Sequence, residues 1–152
     1  MPTSQSKRSA AEIAELTFQL LANCQEKEER FAEQLKIHVS EFRCLRAFRG
    51  DRSLPVKTLV ERINLSGSRL TRILGSLEKR GYIQRVIDEK DRRSITVTLS
   101  KRGIELSGKL EERYLQIHEE ILEGIPKDVH APLISGLQNM LSSLQGWLKN
   151  KR

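Results

Sequence analysis

The sequence predicts a mainly α-helical protein with one small β-hairpin. Three observations support this fold class. Long segments place apolar residues every three or four positions, which is the periodicity of a helix with one buried face. Two short helical segments near the middle of the chain are separated by a brief polar break. They are followed by two short segments of alternating β-branched residues, which is the pattern of a hairpin.

The first two helices are predicted from apolar spacing and from capping residues. Residues 11–35 form the first helix, whose apolar stripe contains Ile13, Leu16, Leu20, Cys24, Phe31 and Leu35. Ser40 is expected to cap a shorter helix over residues 41–49, which ends at the next glycine. Residues 51–55 then form a turn and a short extended piece, because Pro55 biases the residue before it away from helix.

Two further helices lie close together in the middle of the chain, over residues 56–63 and 67–80. Ser66 is expected to cap the second helix, and Gly81 favours its termination. The buried stripe of this second helix is predicted to contain Leu70, Ile73, Leu74 and Leu77. Two helices of this length with so short a connection predict a helix-turn-helix.

The remaining elements are a hairpin and two long helices. Residues 82–87 and 94–99 are the predicted strands, joined by the charged turn DEKDRR. Ser100 caps a helix over about residues 101–122, the segment EGIPKD breaks it, and a last helix runs to about Lys149. This order of elements is that of a winged helix-turn-helix, in which the hairpin is the wing.

Three of the predicted helices carry apolar stripes too wide for the small central module to cover. Uncovered apolar surface of this size usually marks a partner surface, and a symmetric homodimer would bury it. We therefore expect an N-terminal dimerisation helix (1–38), a winged helix-turn-helix (39–103) and C-terminal dimerisation helices (104–152).

The excess positive charge of the chain is confined to its central third. The net charge is +7, and all of this excess falls between residues 51 and 109. Clustered Lys and Arg side chains gain free energy by releasing counterions from phosphates, so double-stranded DNA is the expected partner. A solvated basic face without a partner is the alternative that charge alone leaves open.

Several other classes of protein find no support in the sequence. It contains no apolar run long enough to span a membrane, and the N-terminus lacks the apolar core of a secretion signal. The two cysteines and three histidines lack metal-ligand spacing, and no phosphate loop, cofactor motif or nucleophile–base arrangement can be recognised. We expect a cytoplasmic protein that is not an enzyme and needs no cofactor or metal.

The segments LVERINLSGSRLTRILGSLEKRGYIQR and DEKDRRSITVTLSKRG resemble the MarR/SlyA family of winged-helix transcription regulators. Asp91 and Arg93 match the Asp-x-Arg of the family's wing, and Gly103 matches the glycine that follows it. The resemblance is strong from about residue 40 to 110. It implies a homodimer with one recognition helix in the major groove and one wing along the minor groove. It also implies a repressor that a small aromatic or phenolic effector releases from DNA.

The predicted DNA contacts lie on the outward face of the second helix of the pair and on the wing. With the leucine stripe buried, the outward positions include Gly67, Ser68, Arg69, Thr71, Arg72 and Lys79. Arginines at the start of this helix have the geometry to read guanine edges, whereas a solvated polar face is the alternative. Four further basic side chains are expected either to contact DNA phosphates or only to keep the protein in solution, namely Lys57, Arg62, Lys79 and Arg80.

Lys90, Arg92 and Arg93 form the predicted basic tip of the wing. A basic tip can lie against the DNA backbone and place one arginine in a narrow minor groove, and the resemblance assigns that role to Arg93. Asp91 is expected to hold a neighbouring basic side chain such as Arg85, and the alternative is a local surface salt bridge between Asp91 and Arg93.

Both cysteines are expected to be core residues rather than oxidant sensors. The family includes a peroxide-sensing branch, whose cysteine would fall near Leu16 here. If an effector site exists, the resemblance places it between the dimerisation helices and the winged module, with Phe18, Cys24, Arg46, Phe48 and Tyr114 as candidates.

Two rival functions remain at this point. A winged helix used as a protein-interaction module would have no affinity for duplex DNA. A non-specific architectural protein would bind every duplex equally.

Overall fold

The computed structural model describes residues 1, 3–63 and 65–151. In chain order the elements are α1 (Ser4–Gln34), α2 (Val39–Ala47), β1 (Ser53–Pro55), α3 (Val56–Ile63), α4 (Gly67–Lys79), β2 (Ile83–Ile87), β3 (Ile95–Leu99), α5 (Lys101–Glu123) and α6 (Lys127–Asn150). The chain divides into two compact units, Met1–Glu111 and Glu112–Arg152. The predicted mainly helical fold with a small wing is confirmed.

The wing belongs to a three-stranded antiparallel sheet with the strand order β1-β3-β2. The extended piece predicted around residue 54 is strand β1, which places Leu54 opposite Val97 of β3. Both side chains are buried, so the pairing of β1 with β3 packs the base of the hairpin against the core. Pro55 has no N–H to donate, which is tolerated because β1 lies at the edge of the sheet.

The first unit has one hydrophobic core beneath the helix-turn-helix. Its fully buried large side chains include Phe31, Phe42, Phe48, Leu59, Leu70, Leu74, Leu77, Ile83 and Leu110. The stripe predicted for α4 is therefore confirmed at its three leucines, whereas Ile73 is only half-buried. Burial of such side chains contributes roughly 1.5–3 kcal/mol each, which holds α3 and α4 against α2 and the sheet.

Two predicted helix starts differ from the observed ones. Helix α1 begins at Ser4, where the Thr3 hydroxyl accepts a hydrogen bond from the Ser6 amide at 3.2 Å. The prediction began at residue 11 because the preceding residues are mostly polar and give no apolar periodicity. Helix α2 begins at Val39 after His38, so the expectation that Ser40 caps it was wrong.

The apolar faces of α1 and α6 remain open in the single chain. Residues 4–26 of α1 are exposed throughout, including Phe18 with 72% of its surface accessible. Helix α6, all of whose residues the structure describes, contains no buried residue. Its exposed apolar side chains include Leu137, Leu141, Leu144, Trp147 and Leu148. Among the described residues, no helix is long and apolar enough to cross a bilayer.

Candidate nucleic-acid interface

The outward face of α4 is set by the burial of its leucines. Because Leu70, Leu74 and Leu77 face the core, the positions of the first two turns other than Ile73 point away from it. The predicted contact residues there are all exposed, namely Gly67, Ser68, Arg69, Thr71 and Arg72. Lys79, at the other end of the helix, is exposed as well.

The start of α4 is fixed by local hydrogen bonds. The hydroxyl of Ser66 accepts from the Arg69 amide at 3.4 Å, which confirms Ser66 as the cap. The Thr71 hydroxyl donates to the Gly67 carbonyl at 2.8 Å, so its proton is already engaged within the helix. Arg69 and Arg72 have no ion-pair partner among the described residues, and their guanidinium groups remain available to a ligand.

The tip of the wing is shaped by two aspartates that accept hydrogen bonds from backbone amides. One Asp88 oxygen accepts from the amides of Lys90 at 2.8 Å and Asp91 at 3.4 Å. Asp91 accepts from the Arg93 amide at 3.1 Å. Asp side chains commonly stabilise turns in this way. The turn leaves the side chains of Lys90, Arg92 and Arg93 exposed.

The expected pairing of Asp91 with Arg85 was wrong. Arg85 lies on β2, and its Nε donates to the carboxylate of Glu78 on α4 at 2.5 Å. This ion pair joins the wing to the end of α4. Asp88, which the sequence analysis does not name, stabilises the turn together with Asp91. Its position in the hairpin turn, two residues before Lys90, could have indicated this role, because Asp commonly accepts from the backbone amide two residues on.

Two of the four cations considered as phosphate contacts are held by the protein itself. Arg62 donates from Nη1 to the carbonyls of Ala47 at 2.9 Å and Phe48 at 3.1 Å, and it pairs with Asp51. Arg80 pairs with the buried carboxylate of Glu41. Lys57 and Lys79 are exposed.

The candidate effector residues lie in different environments. Phe18 and Cys24 are exposed on α1, whereas only 1% of Phe48 is exposed. Arg46 pairs with Glu111 at 3.1 Å and lines a hollow between α2 and α3. Phe48 lines a different hollow, between α2 and the start of α5. Tyr114 belongs to the second unit, where its ring makes an edge contact with His118 at 4.5 Å.

The two cysteines differ in burial. Cys44 is completely buried, and this burial, together with the nearby Glu41 carboxylate, raises the pKa of its thiol to about 12. The thiolate is the reactive form, so Cys44 is held unreactive. Cys24 is exposed, and the expectation that it packs in the core was wrong for the single chain. No metal-binding cluster of His, Cys, Asp or Glu is present within the described residues.

A capped helix with a basic outward face, an adjacent basic wing and a buried leucine stripe together define a DNA-binding winged helix-turn-helix. This is the architecture of a transcription regulator. A family model described as "MarR family" matches residues 37–95. Over these residues the chain is similar to the MarR family.

Two relatives are similar over much of the chain. The HTH-type transcriptional regulator SarZ of Staphylococcus haemolyticus (strain JCSC1435) is 28% identical over 132 residues, which cover 85% of this chain and 88% of the relative. SarZ of Staphylococcus aureus (strain USA300) is 32% identical over 98 residues, which cover 64% of this chain and 65% of the relative.

Solved structures show the same fold at lower sequence identity. A MarR family protein from Bacillus stearothermophilus aligns over 91% of this chain and 97% of its own, with a TM-score of 0.79 and 19% identity. Wild-type MarR from E. coli, in its apo form, aligns over 81% of this chain and 95% of its own, with a TM-score of 0.66 and 22% identity. PcaV from Streptomyces coelicolor, in complex with its natural ligand, aligns over 82% of this chain and 91% of its own, with a TM-score of 0.66 and 19% identity.

Proposed function

We propose that this regulator is a homodimeric, sequence-specific repressor that reads a pseudo-palindromic DNA site. The observation that carries the proposal is the exposed pair Arg69 and Arg72 at the capped start of α4, above a fully buried leucine stripe. Charge alone would suit any polyanion. Arginines at the start of the second helix of a helix-turn-helix suit the edges of bases in the major groove.

Each arginine on α4 has a defined task in this proposal. A guanidinium can donate two parallel hydrogen bonds to the O6 and N7 atoms of guanine, which no other base presents together. Arg69 and Arg72 therefore read sequence, while Ser68 and Thr71 contact bases or phosphates beside them. Gly67 has open space around it, which allows the start of the helix to approach the DNA closely.

The wing provides the second contact, with the minor groove. Its tip holds Lys90, Arg92 and Arg93 with exposed side chains, and the Asp88 and Asp91 turn presents them together. Arg93 enters the groove, where a narrow width strengthens the negative potential. Arg85 contributes less, because it is paired with Glu78.

Dimerisation is supported by the open apolar faces of α1 and α6. Such faces are rarely left in water, and a twofold dimer buries the same face of both copies. The two recognition helices then lie about one helical turn of DNA apart, roughly 34 Å, which matches an inverted repeat. A dimer bound across such a site in the cytoplasm blocks transcription from an overlapping promoter.

Release by a small aromatic or phenolic effector completes the proposal. One structural neighbour, PcaV, was solved with its natural ligand. Among the candidate residues, Arg46 offers a charge to such a ligand, since its ion pair with Glu111 is largely exposed. The other candidates are Phe18, Cys24, Phe48 and Tyr114. A ligand that binds better to one dimer geometry shifts the population toward it.

Selection of bound sequences from a random duplex pool tests the proposal directly. We expect the recovered sites to be inverted repeats, and we expect the affinity for them to exceed that for scrambled duplex by at least about a thousandfold. Equal affinity for all duplexes would indicate an architectural protein, and no salt-dependent binding would indicate a protein-interaction module. Sedimentation of the same preparation measures whether the protein is a dimer.

A further inference from the structure

The C-terminal end of α4 is held by a group of side chains that DNA reading does not explain. We call this group the Arg80 cluster; its members are Glu41, Ser76, Arg80, Tyr82 and Arg102. All of them lie in the first compact unit. They belong to α2, to α4 and the residues directly after it, and to the first turn of α5.

Glu41 is the buried centre of the cluster. Only 2% of its surface is exposed, and it is the one buried charged residue in the described core. One carboxylate oxygen accepts from the Ser76 hydroxyl at 2.6 Å; the other accepts from Arg80 Nη1 at 2.8 Å and from the His38 amide at 2.9 Å. A buried carboxylate is costly unless it is paired and hydrogen-bonded, so these donors are required for Glu41 to be tolerated.

Arg80 connects Glu41 to the rest of the module. Its Nη2 donates to the Lys36 carbonyl at 2.9 Å, in the turn between α1 and α2. Its guanidinium lies 5.3 Å from the centre of the Tyr82 ring, and the guanidinium of Arg102 lies 5.1 Å from the same centre. Arg102 also donates to the Arg80 carbonyl at 3.0 Å. The side chain of Arg80 thus joins the end of α4 to α2 and to the start of the wing, while its backbone carbonyl accepts from α5.

We propose that Arg80, through Glu41, is the positioning residue that sets the tilt of the recognition helix. The proposal rests on the function proposed above and deepens it. Arg69 lies about 16 Å from Arg80 along the helix axis, at 1.5 Å per residue. A tilt of about 5° around the anchored end therefore moves the start of α4 by about 1.4 Å, which exceeds the tolerance of a bidentate hydrogen bond.

The contacts of Arg80 argue against a direct role at a phosphate. Both terminal nitrogens already donate, one to a carboxylate and one to a carbonyl. Turning the guanidinium toward DNA would leave the Glu41 carboxylate buried without its charged partner, which is strongly unfavourable. Arg80 therefore acts on DNA through the orientation of α4 and not by touching it.

Arg80→Lys separates positioning from phosphate contact. Lysine keeps the charge and binds phosphates well, but it lacks the planar fork that reaches both acceptors and packs on Tyr82. We expect affinity for the selected site to fall about tenfold, with affinity for scrambled duplex and the salt dependence of binding unchanged. The proposal would be overturned if Arg80→Lys bound the selected site as tightly as the wild type does. Arg30→Lys, the same exchange at an exposed arginine of α1 that pairs with Glu26 four residues earlier, is the matched control and should bind like the wild type.

Two milder variants keep the test valid if Arg80→Lys unfolds. Ser76→Ala and Glu41→Gln weaken the same cluster while Arg80 remains, and both should lower the ratio of specific to scrambled affinity. An unchanged ratio in both folded variants would count against the proposal.

Amide hydrogen exchange tests the cluster without DNA. The amides of the last turn of α4 should exchange faster in Arg80→Lys and Glu41→Gln than in the wild type, and unchanged exchange would overturn the positioning role. If wild-type protein binds no duplex, the proposed function fails while this measurement still decides whether Arg80 holds α4.

Discussion

Two groups of arginines in this protein differ in what they contact. Arg62, Arg80 and Arg102 donate to backbone carbonyls and tie elements of the winged module together. Arg69 and Arg93 extend from the surface without an ion-pair partner among the described residues. Substitutions in the first group should therefore affect stability and helix orientation, and substitutions in the second should affect DNA binding alone.

The exposed arginines should divide between base reading and backbone contact. We expect Arg69→Ala and Arg72→Ala each to lower affinity for the selected site by about 1–3 kcal/mol and to relax base preference at one position. Arg93→Ala should weaken binding to selected and scrambled duplex alike. Competition gel shifts against a scrambled site measure both effects, and a sequence-independent loss in all three variants would contradict this division.

Cys44 should make the stability of the fold depend on pH under alkaline conditions. Burial raises the pKa of its thiol to about 12, whereas an unfolded cysteine has a pKa of about 8.5. Above pH 8.5 the unfolded chain loses this proton and the native chain keeps it, so the contribution to stability falls as pH rises.

Denaturant unfolding at several pH values measures this effect. Between pH 8 and pH 10 the wild type should lose about 2 kcal/mol more stability than Cys44→Ala. Cys24→Ser, at the exposed cysteine, should follow the wild type. Parallel pH profiles for wild type and Cys44→Ala would contradict the buried, protonated thiol.

At the scale of elements, the start of α5 packs directly against Tyr82, the residue before β2. Ser100 accepts from the Gly103 amide at 3.1 Å, and its own amide donates to the Tyr82 carbonyl at 2.9 Å. Gly103 is buried at this junction. A side chain there would collide with the Tyr82 carbonyl, because the helix and the start of β2 approach each other through backbone atoms. Glycine permits this approach because it has no Cβ.

Two glycines of α5 should therefore respond oppositely to alanine. Gly103→Ala forces the backbone at the Tyr82 carbonyl to move and should destabilise the protein by about 1–3 kcal/mol. Gly108→Ala, with open space around it in the same helix, should stabilise by up to about 1 kcal/mol because alanine favours helix. Thermal unfolding of the two variants measures the contrast, and a stabilised Gly103→Ala would contradict the described packing.

At the scale of the whole molecule, two helices expose apolar faces that a single chain does not cover. Helix α6 contributes Leu137, Leu141 and Leu144 to its face, each with about half of its surface accessible. Helix α1 contributes Leu16, Phe18 and Leu20, which are also exposed. Patches of this kind favour association, and twofold pairing is the commonest closed form.

A charge placed in the α6 face should dissociate the proposed dimer. Leu141→Glu would bury a carboxylate without a partner between two copies, so sedimentation should show monomers at concentrations where the wild type is dimeric. Asn139→Glu introduces the same charge well away from the leucine face and should leave the dimer intact. A dimeric Leu141→Glu protein would place the interface elsewhere.

Sequence periodicity by itself determined the fold class, the order of elements and the outward face of α4. This succeeded because Leu70, Leu74 and Leu77 lie on one side of a helix and must be buried, which leaves Arg69 and Arg72 on the other side. The caps Ser66 and Ser100 were also predictable, because a cap bonds to amides only three residues away.

Only the tertiary structure decided which charges are used inside the protein. Glu41 and Arg80 are distant in sequence, and no local pattern indicates that they meet at 2.8 Å. The partner of Arg85 was misassigned for the same reason, since its contact with Glu78 depends on how the hairpin packs against α4. Local propensity acts over a few residues, whereas ion pairs and buried networks depend on how distant segments pack.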